Sequence, residues 1–478
     1  MLTALIIAVV LTGIVLSCIF ILYERNSPAA TMAWLLAMVF LPFIGLTAYF
    51  IFGRRRLYIR VELLKAIREE VGDIWEKLDF DGSLKSVLKA TEDKPDYQGL
   101  MLLAYRHQGL PPTSGNRIEV LKDAENAYPA IIESIKDAKH HIHALYYIIQ
   151  PDCSGRMFRD ALVEKAKQGV EVRLLYDDIG SWHIKPEFFR PLIEAGGRVS
   201  EYRPVRFSRF RTFYANFRNH RKIVVVDGET AYTGGINIGD EYLGMDREKG
   251  FWRDTNIKVS GPAASHLQLV FAEDWYYATG ELLTESYLRK DGVYGDGGFV
   301  QVVPSGPDRP REQVEQLYFT AITSARQRLY ITTPYFVPDE SVQTALIAAS
   351  LRGVDVRLLV PKKPDKKIVT YASRSYYREL LAAGCHIYEY EKGFIHSKTL
   401  SADGGLGIIG TANMDIRSFR LNFEVCVVCY DKAVAEELDG QFMEDLKDAE
   451  RITTETFSKR PRLNVFLENT ARVTSSLL

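Results

Sequence analysis

Two copies of one short motif hold the residues of this sequence that could carry out chemistry together. Each copy has a His, a Lys two positions later, an Asp five positions after the Lys and an Asn ten positions after the Asp. The copies consist of His220, Lys222, Asp227 and Asn237, and of His396, Lys398, Asp403 and Asn413. Because these residues and their spacing are kept while the residues between them differ, we predict two half-sites of one active centre.

The side chains of the motif suit the transfer of a phosphoryl group. A Lys ammonium attracts a phosphate as a point charge, an Asn amide donates hydrogen bonds, and a neutral His nitrogen can attack phosphorus. One His cannot both attack phosphorus and protonate the leaving oxygen. Two facing His residues can, because one forms a phospho-histidine intermediate while the other acts as general acid and then as base for an acceptor hydroxyl. This chemistry requires no metal and no cofactor.

The motif residues divide into a catalytic set and a phosphate-binding pair. The predicted catalytic set is His220, Lys222, Asp227, His396, Lys398 and Asp403, and the predicted phosphate-binding pair is Asn237 and Asn413. Within the catalytic set, Asp227 and Asp403 each precede a Gly, a pattern typical of turns. We therefore predict that these two carboxylates have structural roles.

Each motif is followed by a strand-like segment that contains one carboxylate. Asp254 follows the first motif and Glu424 follows the second. A carboxylate that accepts a hydrogen bond from Nδ1 fixes the tautomer of a His and stabilises its protonated form. We therefore predict that Asp254 orients His220 and that Glu424 orients His396.

The chain around the motifs must bring them together, and its pattern predicts an α/β fold with mixed sheets flanked by helices. The predicted elements are helices at 128–138, 158–168 and 186–195, and strands at 142–149, 170–176 and 223–226. Residues 161–175 resemble residues 345–359, and both segments precede a motif. This repeat predicts a duplicated domain with two similar lobes. The predicted domains are a transmembrane hairpin at 1–56, an amphipathic helix and linker at 57–115, a first lobe at 116–290, and a second lobe with a C-terminal helical tail at 291–478.

The N-terminal residues contain two long apolar runs. Leu2–Tyr23 and Ala29–Phe52 are each long enough to cross ~30 Å of hydrocarbon, and a short polar turn separates them. The basic cluster Arg54–Arg56 follows the second run. The positive-inside rule then places both termini and the catalytic body in the cytoplasm, which predicts a multi-pass protein of the cell membrane.

Several further segments allow two interpretations. Residues 60–78 have the period of an amphipathic helix, which could lie on the bilayer or pack as a connector, and residues 79–98 are predicted to be a linker. The basic and aromatic run Arg203–Arg221 could contact anionic headgroups or form a solvated loop. For the cluster His140, His141 and His143, ordinary packing is favoured over a metal site.

The paired motifs resemble those of the phospholipase D superfamily. The N-terminal hairpin, Trp34-Leu35-Leu36, and the segments 234–242 and 410–419 are similar to bacterial cardiolipin synthases. The resemblance implies two phospholipase D-like lobes and a membrane phosphatidyltransferase that condenses two phosphatidylglycerol molecules into cardiolipin and glycerol. It also implies that His220 is the nucleophile and His396 the acid and base. One departure is Ser401-Ala402 before Asp403, where the first copy has Val225-Val226.

The sequence alone is also compatible with other acceptors and substrates. Water or another alcohol needs the same base as a glycerol hydroxyl, so a phospholipase D-type hydrolase or a transphosphatidylase is an alternative. A nuclease is a weaker one, because the net charge of −1 gives no overall basic field for nucleic acid. The expected partners are phosphatidylglycerol and anionic membrane lipid, with no nucleic acid.

Overall fold

The structure is a computed structural model. It describes residues 2–23, 28–41, 44–45, 48–49, 80–91, 95–108, 110–202, 217–246, 250–283, 287–288, 298–309, 312–363 and 365–473. The predicted amphipathic helix at 60–78, the basic cluster Arg54–Arg56 and most of the run Arg203–Arg221 lie outside these residues. The chain divides into a small unit, residues 1–56 with 204–217, and a large unit, residues 57–203 with 218–478.

The small unit contains the helices α1 (Leu2–Tyr23) and α2 (Pro28–Phe40). Their contact buries Ile21 and Met38 together with Tyr49, and the ring of Trp34 lies edge-on to that of Tyr49 at 5.2 Å. Among the described residues, no helix has both the length and the apolar character needed to cross a membrane. The predicted transmembrane hairpin is therefore not confirmed.

The first lobe is built on a seven-stranded mixed sheet with the order β1-β8-β6-β5-β2-β3-β4. The strands of the lobe are β1 (Arg117–Lys122), β2 (His141–Tyr146), β3 (Glu171–Asp177), β4 (Arg198–Tyr202), β5 (Ile223–Val226), β6 (Thr230–Gly234), β7 (Trp252–Arg253) and β8 (Thr255–Ser260), of which β7 lies outside this sheet. The longer helices beside it are Asp123–Asp137, Cys153–Lys167 and Pro262–Thr279, and shorter ones are Pro186–Phe189, Arg190–Glu194 and Asp240–Leu243. Strands β2, β3 and β4 are parallel, and β5, at the centre, is buried along its whole length.

The second lobe repeats this plan in an eight-stranded sheet with the order β9-β18-β16-β15-β10-β12-β13-β19. Its strands are β9 (Phe299–Ser305), β10 (Arg328–Thr332), β11 (Phe336–Val337), β12 (Asp355–Pro361), β13 (His386–Tyr390), β14 (Phe394–Ile395), β15 (Thr399–Ala402), β16 (Leu406–Gly410), β17 (Met414–Asp415), β18 (Glu424–Tyr430) and β19 (Ala449–Ile452). Its helices are Gln313–Ser324, Glu340–Leu351, Lys367–Ala382, Ile416–Arg420, Lys432–Asp445, Leu446–Asp448, Thr454–Ser458 and Arg462–Val473. Strands β11, β14 and β17 lie outside this sheet. Within the sheet, the position of each strand matches one in the first sheet except for β19, which is an addition at the edge. The predicted duplication into two α/β lobes with mixed sheets is thus confirmed.

The repeat seen in the sequence corresponds to one helix and one strand in each lobe. The helix Cys153–Lys167 starts at Asp152, whose side chain accepts from the Gly155 N–H. Its counterpart Glu340–Leu351 starts at Asp339, whose side chain accepts from the Val342 N–H. Both helices are followed by a Gly with positive φ, as expected where a helix ends in the left-handed region. The same capping chemistry therefore leads into β3 and into β12.

The linker predicted at residues 79–98 is wrong over most of its length. The chain forms the helices Phe80–Ala90 and Pro95–Gln108, and their apolar side chains Val87, Leu100 and Met101 join the core of the second lobe. The polar residues that suggested a linker lie between these apolar positions. The helices are stabilised by burial of the apolar side chains against a lobe that is distant in sequence.

The motif residues Asp227 and Asp403 each end a strand and adopt positive φ, at 55° and 52°. The carboxylate of Asp227 accepts from the backbone N–H groups of residues 139, 140 and 141. The carboxylate of Asp403 accepts from those of residues 326, 327 and 328. Each side chain fixes the start of a neighbouring strand, at the opposite end of its own strand from the motif His. These contacts support the predicted structural role of the two residues, and their place in the catalytic set stays a prediction.

Candidate active site

Each motif His lies where its lobe meets the other lobe. The His220 N–H donates to the carbonyl oxygen of Phe423 at 2.9 Å, and the His396 N–H donates to that of Arg253 at 2.7 Å. A parallel bridge joins Asn219 to Phe423, and β14 pairs in parallel with β7. The two contacts are equivalent, so the lobes are joined by two reciprocal crossings of the backbone.

These crossings exchange the carboxylates that orient the two His rings. Nδ1 of His220 lies 3.0 Å from Oε2 of Glu424, and Nδ1 of His396 lies 2.7 Å from Oδ2 of Asp254. The prediction that each His is oriented by the carboxylate following its own motif was therefore wrong. Glu424 follows Phe423, to which His220 is paired, so the next side chain along the opposite lobe reaches the ring.

The two carboxylates have different surroundings. Thr411 Oγ1 donates to Glu424 Oε2 at 2.6 Å, and the Asn422 amide donates to the other oxygen at 3.2 Å. At the position equivalent to Thr411, the first motif has Gly235, where a Cβ atom would collide with both oxygens of Asp254. The shorter carboxylate lies directly on a Gly backbone, whereas the longer one is held by a hydroxyl.

The two Lys ammonium groups are buried and lie close to the His rings. Lys222 Nζ donates to the carbonyl oxygen of His220 at 2.6 Å, and Lys398 Nζ lies 3.0 Å from Nδ1 of His396. Burial lowers the pKa of Lys222 to about 7, with Glu424 opposing and Lys398 adding to the effect. Burial also lowers the pKa of Lys398 to about 8, although Asp254 and Glu424 oppose it.

Burial also sets the direction of the pKa shifts of both rings and of Asp254, but not that of Glu424. It lowers the pKa of His220 to about 4 and that of His396 well below its ordinary value, and Lys398, Lys222 and His220 lower the latter further. Burial raises the pKa of Asp254 to about 6. Burial also acts to raise the pKa of Glu424, but His220 and Lys222 outweigh it and hold the pKa below its ordinary value. The site therefore favours an anion that compensates its buried positive charge.

The two predicted phosphate-binding residues differ in their contacts. Oδ1 of Asn237 accepts from the Ile148 N–H at 3.1 Å, and its Nδ2 donates to the Tyr242 hydroxyl at 2.8 Å. Asn413 is buried, and within the described residues its Oδ1 has no hydrogen-bond partner. The phosphate-binding role of this pair stays a prediction.

Aromatic rings surround both His side chains. Tyr147 lies edge-on to His220 at 4.8 Å, and the Lys222 ammonium lies 5.3 Å from the same Tyr ring. Trp252 lies 5.3 Å from His396, and the Tyr242 hydroxyl lies 3.4 Å from Nδ1 of that ring. The sequence pattern selected neither Tyr147 nor Trp252 as a site residue. The available signal was the position of Tyr147 at the carboxyl end of a parallel strand.

Two buried Arg residues hold the lobes together beside the site. Arg221 donates to Asp274 in its own lobe at 2.7 Å and to the carbonyl oxygens of Glu424 and Ser305 in the other, each at 3.0 Å. The position of Arg221 between His220 and Lys222 was the sequence signal that could have identified it as a residue of the site. Arg253 donates to both oxygens of Asp445 across the lobes at 3.0 Å.

The His cluster of β2 does not join this site. His143 Nδ1 lies 3.0 Å from Oε1 of Gln268, its ring stacks on Phe271 at 4.7 Å, and His141 is buried beside it. Within the part of the chain that the structure describes, no group of His, Cys, Asp and Glu side chains could hold a metal ion. His141 and His143 are packed in the lobe, whereas His140 is exposed.

Comparisons with known proteins place the site in a family context. Residues 131–275 and 318–446 match the family described as "Cardiolipin synthase, PLD-like domain", and residues 7–54 match "Phospholipase_D-nuclease N-terminal". The chain is 45% identical to a cardiolipin synthase of Geobacillus sp. (strain WCH70), over 98% of this chain and 93% of that protein. It is 38% identical to the major cardiolipin synthase ClsA of Bacillus subtilis (strain 168), over 98% of this chain and 97% of that protein.

A solved structure has the same fold. The phosphatidylserine synthase of Haemophilus influenzae Rd KW20 superposes with a TM-score of 0.59, over 79% of this chain and 100% of that chain. The two sequences are 15% identical, so this similarity concerns the arrangement of the two lobes alone.

Proposed function

The chain belongs to the cardiolipin synthase family of the phospholipase D superfamily, and from this premise we propose that it condenses two phosphatidylglycerol molecules into cardiolipin and glycerol. The observation that carries the proposal is the pair of reciprocal His–carboxylate contacts, His220 with Glu424 and His396 with Asp254. Two buried ammonium groups beside these pairs supply the positive charge that a phosphodiester needs.

In the first half-reaction, His220 attacks the phosphorus of one phosphatidylglycerol. Because Nδ1 of the ring is held by Glu424, Nε2 is the nitrogen left to form the bond to phosphorus. The bond from phosphorus to the headgroup oxygen breaks, and His396 gives its proton to that oxygen, so that glycerol leaves. The product is a phosphatidyl group on His220, with His396 neutral.

In the second half-reaction, a headgroup hydroxyl of another phosphatidylglycerol attacks the same phosphorus. His396 takes the hydroxyl proton, and the bond from phosphorus to His220 breaks. Cardiolipin leaves, and both His residues return to their starting states. Lys222 and Lys398 stay charged on the phosphoryl oxygens in both steps, and Asn237 and Asn413 are proposed to donate to them.

The two proposed roles require different protonation states of the rings. His220 has a pKa of about 4, so the ring is neutral at neutral pH, as a nucleophile must be. Thr411 and Asn422 fix Glu424, which keeps its charge opposite the ring. His396 must carry a proton to act as acid, yet burial and neighbouring cations lower its pKa. A bound phosphodiester opposes those cations, so protonation of His396 is coupled to substrate binding.

A hydrolase that uses water as acceptor is the second candidate, because water needs the same base. Product analysis separates the two. Purified full-length protein with phosphatidylglycerol alone is expected to give cardiolipin and glycerol in equal amounts, and phosphatidic acid as the main product would favour hydrolysis. His220→Ala is expected to abolish both products and His396→Ala to lower both by about 10²–10⁴-fold, with circular dichroism showing that the variants are folded.

We further propose that the N-terminal hairpin anchors the enzyme in the cell membrane, with the catalytic body in the cytoplasm. Support comes from the two apolar runs, the basic cluster Arg54–Arg56 and the N-terminal family match. Large apolar side chains of the small unit are more than half exposed, namely Val15, Leu16, Leu22, Met32, Val39, Phe40 and Ile44. Protease protection in right-side-out and inverted vesicles tests this topology, and a body accessible from outside would contradict it.

A further inference from the structure

A loop of the first lobe exposes large apolar side chains beside the active site. This apolar rim loop, residues 178–185, follows β3 and leads to the short helix Pro186–Phe189. Trp182 is 71% exposed and Ile179 is 47% exposed. A largely exposed indole three residues from a second exposed apolar residue is typical of a contact with another phase or partner.

The apolar rim loop is fixed to the nucleophile half-site by direct contacts. Ser181 Oγ donates to the carbonyl oxygen of Tyr147 at 3.1 Å, and the Tyr147 ring lies against His220. A side chain at Gly180 would collide with Tyr147, so the loop backbone lies directly on this residue. Trp182 is therefore held at the edge of the active site by contacts that run through Tyr147.

The equivalent loop of the second lobe exposes charge in place of apolar surface. This cationic rim loop, residues 362–363 and 365–367, follows β12, the counterpart of β3, and leads into the helix Lys367–Ala382. Lys363, Lys366 and Lys367 are exposed, and Ile368 next to them is 45% exposed. Within the loop, Asp365 accepts from the Tyr335 hydroxyl at 2.6 Å.

Hydrogen bonds connect the cationic rim loop to the second motif through Tyr335. Thr333 Oγ1 donates to the carbonyl oxygen of Tyr335 at 3.0 Å and accepts from the Met414 N–H at 3.1 Å, and Met414 directly follows Asn413. Both rim loops follow the middle strand of a parallel trio, and the carboxyl ends of such strands form the edge at which sites are built. The two lobes thus place one apolar and one cationic loop around the same active centre.

We propose that the two rim loops dock the catalytic body on an anionic bilayer, so that lipid enters the site from the membrane surface. Indole rings favour the interface between headgroups and acyl chains, and exposed Lys residues are attracted to anionic headgroups. Charge complementarity with an anionic bilayer selects this occupant over a soluble protein. The proposal deepens the lipid function proposed above and rests on it for the substrate.

Trp182 provides a direct optical test of docking. Full-length protein in bilayer discs of phosphatidylglycerol and phosphatidylcholine is compared with Trp182→Phe in the same discs, with and without brominated acyl chains. The chain has five Trp residues, so the difference between the two proteins isolates the signal of Trp182. We expect brominated lipid to quench a component that Trp182→Phe lacks. Equal quenching of both proteins would overturn the proposal.

Kinetics on two physical forms of the substrate provide a second test. Trp182→Ala, or a Lys-to-Gln change at Lys363, Lys366 or Lys367, is expected to raise the apparent KM about fivefold for phosphatidylglycerol in bilayer discs. Turnover of monomeric dihexanoyl phosphatidylglycerol should change less than about twofold, because that substrate does not need docking. The Lys effect should shrink at high salt, whereas the Trp182 effect should persist.

Matched controls come from exposed apolar residues at the opposite ends of the sheets. Ile193 and Leu351 are 54% and 71% exposed, and each lies where a helix returns toward the amino end of the next strand. Ile193→Ala and Leu351→Ala are expected to leave both assays unchanged. Equal losses on bilayer and monomeric substrate in the rim variants would contradict docking. Failure of the wild type to form cardiolipin would overturn the proposed function, while the quenching result would still decide the docking.

Discussion

The two half-sites have the same backbone arrangement, but the groups that contact their carboxylates differ. In both, the backbone N–H of a motif His donates to a carbonyl oxygen of the other lobe. Nδ1 of the same His then lies against the carboxylate of the residue that follows this carbonyl. Glu424 is held by Thr411, whereas Asp254 lies against Gly235. The comparison teaches that duplication preserved the geometry, while the length of one side chain and the group behind it changed the electrostatics. We propose that this difference underlies the separate roles of the two rings.

The largest expected effect distinguishes the two rings. Removing a nucleophile eliminates the covalent route, so His220→Ala should lower kcat by about 10⁵-fold or more. Removing a general acid and base leaves attack on phosphorus possible, so His396→Ala should lower kcat by about 10²–10⁴-fold. Steady-state cardiolipin formation by the two purified variants measures both. Equal losses would mean that the half-sites do not have separate roles.

The exchange of carboxylates predicts which residues act together. Glu424→Gln should lower kcat by about 10²-fold, and Asp254→Asn by a similar or smaller factor. In a double-mutant cycle, Glu424→Gln should add little to His220→Ala but should add its full effect to Asp254→Asn. Coupling of Asp254 to His220 in place of Glu424 would restore the pairing predicted from sequence order and contradict the crossed contacts.

That failed pairing shows how far a sequence can specify this site. The spacing of His, Lys, Asp and Asn was enough to predict two half-sites, and the repeat was enough to predict two lobes. No local sequence pattern indicates which strand of one lobe lies beside a motif of the other lobe. The contact between these segments determines which carboxylate reaches His220. The helices Phe80–Ala90 and Pro95–Gln108 were missed for the same reason, since the surface that buries them belongs to a distant part of the chain.

The two Lys residues predict an alkaline limit to activity. Each ammonium is protonated below its pKa, about 7 for Lys222 and about 8 for Lys398. As pH rises through these values the free enzyme loses the charge that binds phosphate, so kcat/KM should fall above pH 7 to 8. Lys222→Arg keeps its charge at these pH values and should move the limit upward, even though its absolute rate is lower. An unchanged pH profile would indicate that Lys222 does not set it.

The smallest catalytic effect is expected where the two halves are most alike. Asp227 and Asp403 each accept three backbone hydrogen bonds in a turn with positive φ. Asp227→Ala and Asp403→Ala should each reduce the free energy of unfolding by about 2–4 kcal/mol, while kcat per folded molecule changes less than about threefold. Urea denaturation and active-site titration measure these two quantities. A large loss of kcat with unchanged stability would show that these two residues take part in catalysis.

The most direct measurement is the position of the covalent phosphatidyl group. Full-length protein is mixed with ³²P-labelled phosphatidylglycerol, quenched within milliseconds at alkaline pH, digested and mapped by mass spectrometry. His396→Ala serves as a second sample in which the label should appear more slowly, because the acid that protonates the leaving glycerol is absent. We expect the label on His220 in both proteins. Label on His396 in the wild type would reverse the assigned roles, and an unlabelled wild type and variant that still form cardiolipin would exclude the covalent route.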